Sequence, residues 1–340
     1  MAQQFANKQP PGFRNHIQNI AIVGAGGSVG KFITEALLSQ GKHKVTAITR
    51  QDSDSVLPQG IHHIKKVDYS SQQSLVDALK GQDALVITLK PMSPPDTQHN
   101  LMDAAVEAGV EYIMPNEYGV DASNKALAEE TMVGTAVREA RAYVEKIGNG
   151  KTFWVGLVCG FWYEFSLAGK ENRYGFDLGE KSLTWFDDGE TRFTQSTWAQ
   201  CGRAVASLFA LKKLPDNETD RSPTLSQFAN APVYISSFTV SQRDMLASLL
   251  RITNDSEANW TFKTESSRDR HADALEKRKQ GVLAGFIRTL YTRVMFPGGG
   301  GDTSGKVVNE VLGLPVEDLD EATRGAVRLH EEGYFEGRAA

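Results

Sequence analysis

Asn19-Ile20-Ala21-Ile22-Val23 runs straight into Gly24-Ala25-Gly26-Gly27-Ser28-Val29-Gly30, and an amphipathic run follows over 31–39. The first five residues read as a strand, the glycines as a turn, and the spaced apolar residues beyond them as a helix. In that setting the GxxGxxG spacing has a physical meaning. Gly24 permits a tight turn, Gly27 lets backbone approach a diphosphate, and Gly30 lets helix and strand pack closely. Gly26, Ser28 and Val29 lie in the same loop, where the helix N-terminus presents free N–H groups to an anion. A glycine turn alone would also serve as a plain βα connection; the strand and helix in register on either side argue for a phosphate loop.

Outward from this stretch, strands at 20–23, 44–48, 61–67, 84–88, 112–114 and 152–158 alternate with helices at 29–39, 71–79, 97–108 and about 125–147. Nearly all of the strands are apolar, which predicts a parallel sheet covered on both faces: an α/β, Rossmann-type doubly wound fold. After Gly160 the rhythm changes. An aromatic run (Phe161, Trp162, Tyr163, Phe165), a hairpin-like segment around Trp185-Phe186-Asp187-Asp188-Gly189, and helices at 199–211, 241–250 and 268–296 with a loop at 298–301 predict a smaller α+β substrate cap. A strand near 232–235 is expected to rejoin the main sheet. The chain thus divides into a flexible tail (1–18), a dinucleotide-binding domain (19–160) and a mixed substrate-binding region (161–340).

Composition narrows the partners. Of 340 residues, 40% are apolar and 9% aromatic, enough for a large core, and 37 basic against 42 acidic residues leave a net charge of −5. A nucleic-acid footprint would need a basic face, so a small-molecule substrate is expected instead. No run reaches the roughly 18 apolar residues of a membrane span, and residues 1–15 lack the apolar core of a signal peptide. Cys159 and Cys201 read as buried free thiols, and the expected compartment is the cytoplasm. With no HExxH and only His62-His63 adjacent, no metal site is expected. Gly300-Gly301-Asp302-Thr303-Ser304-Gly305-Lys306 has Walker-A spacing, but Val307 replaces the Ser/Thr and a helix precedes it, which predicts a flexible loop.

The second strand ends at Thr49-Arg50-Gln51-Asp52-Ser53, about 20 residues beyond the glycines, where a dinucleotide's adenosine ribose is met. NAD-specific sites place a carboxylate here. Arg50 suits a 2′-phosphate, Ser53 adds a donor, and NADP(H) is the expected cofactor. A solvated Arg50 at a strand end is the plain alternative. Asp68, just after the third strand, is expected beside the adenine.

Together the glycine turn, Thr49-Arg50, Val67-Asp68-Tyr69 and Tyr112-Ile113-Met114-Pro115-Asn116-Glu117-Tyr118-Gly119-Val120-Asp121 resemble the NmrA-like and isoflavone-reductase-like branch of the atypical short-chain dehydrogenases. The last segment is similar to that family's Pro-Ser-Glu-Phe-Gly, with Asn116 for Ser and Tyr118 for Phe. The resemblance covers 19 to about 165 well and the remainder in layout. It implies that Thr88, Leu89, Lys90 and Pro91, with Pro115, Asn116, Glu117 and Tyr118, flank the nicotinamide end, and that Gly160-Phe161-Trp162 border the substrate. One departure bears on chemistry: the position of the family's catalytic lysine falls on Gly134. Nor is there a Tyr-x-x-x-Lys, since Tyr143 precedes Lys146 by three.

Lys90, Tyr118 and Lys125 are the candidate replacement donors, each with a plain alternative: a phosphate or ribose contact for Lys90, packing over the cofactor for Tyr118, a solvated helix start for Lys125. Hydride delivered to a cationic iminium carbon needs no simultaneous protonation, whereas reducing a ketone or enone benefits from a positioned donor. Tyr118, Phe161, Trp162, Tyr163, Phe165, Tyr174 and Trp185 would suit a bulky aromatic or alkaloid-like ligand, although core packing explains half of such rings equally well. Three functions follow as expectations: an NADP(H)-dependent oxidoreductase acting on a C=N or C=C group of a secondary metabolite; a redox-shuttled cyclisation of such a substrate; and a non-catalytic NADP(H)-sensing regulator, which alone would need a protein partner.

Overall fold

The computed structural model describes residues 4–90, 93–94, 96–131 and 133–336. β1 (Asn19–Val23) leads into α1 (Ser28–Gln40), followed by β2 (Lys44–Arg50), β3 (His63–Val67), α2 (Gln72–Leu79), β4 (Ala84–Ile87), α3 (Asp96–Glu107), β5 (Tyr112–Met114) and a short β6 (Tyr118–Gly119). Then come α4 (Lys125–Thr131), α5 (Val133–Gly148), β7 (Phe153–Val158), β8 (Phe161–Trp162), α6 (Tyr163–Leu167), β9 (Phe176–Asp177), β10 (Ser182–Phe186), β11 (Phe193–Ser196) and α7 (Trp198–Phe209). The rest is β12 (Ala231–Tyr234), β13 (Phe238–Val240), α8 (Gln242–Thr253), β14 (Thr261–Glu265), α9 (Ser267–Lys279), α10 (Leu283–Val294) and α11 (Leu319–Glu331).

The main sheet runs β12-β7-β5-β4-β1-β2-β3 with β6 also on β7, and its pairs are parallel. Alternation along β1 shows why its sequence is apolar throughout. Ile20 and Ile22 pack with Ile33 and Leu37 of α1 and Val205 and Phe209 of α7, while Ala21 and Val23 face Leu75, Leu101 and Val144 of α2, α3 and α5. Strand order reverses at β1, between β2 and β4, which opens a crevice at the carboxyl ends of these strands. The cap has its own core, centred on Tyr163, Tyr174, Phe176, Phe186 and Phe193, beneath two three-stranded sheets. Among the described residues no helix is long and apolar enough to cross a membrane.

Several expectations are corrected. The helix expected over 125–147 is two: a Cβ on Gly134 would lie 2.4 Å from Ala128 Cα, so α4 and α5 touch across this glycine instead of continuing one another. The segment at 185–189 is no hairpin, because β10 spends one edge on β9 and the other on β14, and the chain leaves it for β11 in a different sheet. The helix expected over 268–296 divides at Gly281, whose φ of +78° ends it. Of the tail, Ala6 and Asn7 donate backbone hydrogen bonds to Pro215 and Asp216 (2.8 and 3.1 Å), and Ile17 is buried. The Walker-like stretch is docked rather than flexible: Thr194 N donates to Gly301 O (3.0 Å), Thr303 N to Thr194 Oγ1 (2.8 Å), and Lys306 pairs with Asp121 at 2.9 Å. The sequence reading missed α11, although Asp318 caps it by accepting from Glu321 N. Cys159 and Cys201 are both buried and free.

Candidate functional site

The phosphate loop is built by close approaches that only glycine allows. Gly24 has φ +79°, and a Cβ there would lie 2.0 Å from Thr88 O; one on Gly30 would lie 2.1 Å from Gly24 O. β1, α1 and the end of β4 are thereby drawn together. A Cβ on Gly26 would lie 2.4 Å from Val56 O, which brings the 51–60 loop beside the same turn. Gly27 is the N-cap of α1 and supplies no side chain to it, so the helix's first N–H groups are left for an anion. Ser28 and Val29 open that helix. A cradle of this shape fits a dinucleotide diphosphate.

At the adenosine end, Arg50 closes β2 with its side chain in solvent and only a loose 3.8 Å contact to Asp52. Ser53 donates its amide to Arg50 O and its hydroxyl to Ser55 (3.1 Å), and the hydroxyl of Thr49 turns back to Arg50 O. Asp68 accepts from the amide (2.8 Å) and hydroxyl (2.7 Å) of Ser70, which hold its carboxyl below the usual carboxylate range. A guanidinium this weakly engaged suits a 2′-phosphate.

At the other end, Thr88 Oγ1 donates to Val23 O (2.8 Å), and the side-chain amide of Asn116 holds the backbone of Leu89 at two points: Leu89 N donates to Oδ1 and Nδ2 donates to Leu89 O, each at 3.1 Å. Gln98 Oε1 accepts from Asn116 N (2.8 Å). Asn116 therefore ties the loop after β4 to the loop after β5. Glu117, expected at the cofactor, is instead buried in a two-point pair with Arg141, which lies over the Trp154 ring. Tyr118 also differs from expectation: its hydroxyl points into the core near Cys159 and Cys201, and burial pushes the phenol well above its ordinary value. Lys125 is exposed beside Glu129, and Lys90 is exposed; Pro91 lies outside the described residues. At Gly134, where the resemblance put the lysine position, Ala128 occupies the space a side chain would need.

The aromatic candidates separate into two groups. Phe161 stacks on Tyr291 (4.1 Å), Tyr163 bonds Thr323 (2.8 Å), Tyr174 is wholly buried and Trp185 stacks on Phe262 (5.7 Å); all four are committed to the cap interior. Trp162 and Phe165 instead join Trp198, Tyr334 and Phe335 in a cluster of rings with neighbouring centroids 5.1–6.2 Å apart. Trp198 stacks on Phe32 of α1 (5.5 Å), and the Tyr334 hydroxyl lies 3.2 Å from Ser28 Oγ. This cluster therefore adjoins the phosphate loop. Within it Glu164 accepts from Trp198 N (2.9 Å), its second oxygen has no partner among the described residues, and burial pushes its carboxyl up to about 7. Glu164, Trp198, Tyr334 and Gln98 were not singled out from sequence; only Glu164, an acid inside an aromatic run, left a readable signal.

A glycine cradle at the switch point of a parallel sheet, with an exposed, loosely paired guanidinium at the end of β2, defines a dinucleotide-binding α/β protein, and residues 24–164 match the NAD(P)H-binding family model. The chain is 29% identical to oxidoreductase aprR of Aspergillus flavus, over 89% of this chain and 96% of that one. It is 30% identical to isoflavone reductase homolog P3 of Arabidopsis thaliana, over 42% of this chain and 49% of the relative. The fold superposes on that of AtPrR2 with NADP+ and (+)pinoresinol at a TM-score of 0.69 and 18% identity, covering 92% of this chain and all of the other. Over its first half the chain is thus similar to isoflavone-reductase-like proteins, and residues 24–164 carry an NAD(P)H-binding domain. The bound group is a nicotinamide dinucleotide, NAD(P)H, as the match over 24–164 describes.

Proposed function

We propose that this chain is an NADP(H)-dependent oxidoreductase that transfers hydride to or from a C=N or C=C group of a bulky, aromatic or alkaloid-like secondary metabolite. The observation that carries the reading is the closed contact at Gly134. With no lysine possible there, the favoured acceptor is one whose reduction develops no oxyanion, and a cationic iminium carbon meets that requirement: hydride adds to carbon and the nitrogen keeps the electron pair. Bound NADPH supplies the hydride. The chain's own part is to place it: Gly24, Gly27 and Gly30 shape the diphosphate cradle, Arg50 and Ser53 take the 2′-phosphate, and Asn116 fixes the Leu89 peptide beside the nicotinamide. The 29% identity to a fungal oxidoreductase over nearly the whole chain supports the reaction class.

The test incubates the protein with stereospecifically 4-deuterated NADPH and candidate iminium and enone substrates, following loss of the reduced-nicotinamide band and product mass. Deuterium in product in stoichiometric amount with oxidised cofactor is expected. Product formed without net cofactor consumption overturns net reduction in favour of redox-shuttled cyclisation, which the same closed contact at Gly134 also favours. Binding of NADPH with no turnover of any candidate would point to the sensing role.

A further inference from the structure

The segment that follows α11 lies far outside the 24–164 match, yet it ends against the phosphate loop. Tyr334 places its hydroxyl 3.2 Å from Oγ of Ser28, the first residue of α1. The ring is held in place from three sides, by Trp198 at 6.0 Å, Phe165 at 6.2 Å and Phe335 at 5.1 Å, and Trp198 is itself stacked on Phe32 one turn into α1. The turn that bears Ser28 carries no side-chain cap and no basic residue before Lys31, which points to solvent beside Glu35. A diphosphate seated on the first N–H groups of α1 would thus meet glycine backbone, the Ser28 hydroxyl and, one hydrogen bond away, a phenol anchored on aromatic rings.

We propose that Tyr334 is a ligand of the cofactor: on binding, its hydroxyl donates to the diphosphate at the N-terminus of α1, so that the C-terminal segment completes the dinucleotide site. A neutral donor suits this place, because hydrogen bonds from uncharged hydroxyls to anionic oxygen are stronger than those to neutral acceptors. The inference rests on the NADP(H) assignment and concerns only how the diphosphate is held.

The test compares wild type, Tyr334→Phe, Ser28→Ala and a chain ending at Glu332, titrated with NADPH and with 2′-AMP by tryptophan fluorescence. Circular dichroism and melting without ligand control for folding. Tyr334→Phe keeps the ring and its packing; it is expected to weaken NADPH about 10-fold or more, as loss of one charge-assisted hydrogen bond does, with 2′-AMP unchanged because that fragment lacks a diphosphate. Ser28→Ala, which removes one neighbour of the Tyr334 hydroxyl but leaves the phenol, is expected to weaken NADPH less than Tyr334→Phe does. The shortened chain should match or exceed the Tyr334→Phe loss. Equal NADPH affinity in wild type and Tyr334→Phe, or tighter binding in the variant, overturns the proposal and leaves Tyr334 as a latch for the chain end. Failure of the wild type to bind either ligand would instead overturn the cofactor assignment itself.

Discussion

At the scale of single residues, two side chains separate cofactor choice from proton chemistry. Arg50 is exposed and loosely paired, so its removal should leave the fold intact. Arg50→Ala is expected to weaken NADPH by about 10- to 100-fold, the value of a forked charge-assisted contact, and NADH far less; titrations showing equal losses would remove the 2′-phosphate assignment. Glu164 makes a different prediction. Desolvation, with a smaller push from Glu317 and against the opposing backbone amides of Glu164 and Trp198 and the charge of Arg203, raises its carboxyl to about 7. A folded-state value above that of an unfolded glutamate means that the native protein holds the proton more tightly, so the contribution is favourable at low pH and is lost as pH rises from about 4.5 to about 7. Glu164→Gln should therefore exceed wild type in stability by on the order of 3 kcal/mol at pH 8 and by under about 1 kcal/mol at pH 5 in urea unfolding. A gap that does not depend on pH would show that this carboxyl does not titrate as argued.

At the scale of elements, the site depends on contacts between loops and helices that no single segment encodes. Asn116 joins the loop after β4 to the loop after β5 through two hydrogen bonds with the backbone of Leu89. Asn116→Ala should cost about 1–3 kcal/mol in stability and also weaken NADPH, since the Leu89 loop loses its anchor. A variant that loses stability but binds NADPH as wild type does would confine Asn116 to the scaffold. Gly134 sets the contact of α4 on α5. The methyl of Gly134→Ala would lie 2.5 Å from the Ala128 methyl, and about 1–3 kcal/mol of overpacking is expected, read as a lowered melting temperature. An unchanged melting temperature would reopen the position to a side chain.

At the scale of the whole molecule, remote segments are drawn onto the carboxyl edge of the sheet. Lys306 pairs with the buried Asp121 and lies over Tyr234 at the end of β12, which ties the 302–309 stretch to the edge of the main sheet. Lys306→Met leaves that carboxylate without its cation. Because Lys306 is itself about half exposed, the expected loss is reduced to about 1–3 kcal/mol in urea unfolding. A loss below that range would mean the segment is held by its backbone bonds, such as Thr303 N to Thr194 Oγ1, rather than by the ion pair.

The sequence by itself determined the Rossmann half: apolar strands buried on both faces and glycines at fixed spacing are local signals, and β1, α1, β2, α3 and β5 stand close to where that pattern put them. It also pointed to a dinucleotide, because the glycine loop and Arg50 lie about 20 residues apart in one βαβ unit. Only the tertiary structure decided which candidates face the crevice. Glu117 and Tyr118 sit in the most recognisable motif of the chain, yet the first is held in a buried ion pair by Arg141, 24 residues away, and the hydroxyl of the second lies near Cys159 and Cys201. Tyr334 reaches Ser28 across 306 residues, and α4 folds onto Gly134 through a contact between backbones. Contacts of that kind arise when separate helices pack, and no periodicity or spacing in one stretch of chain records them.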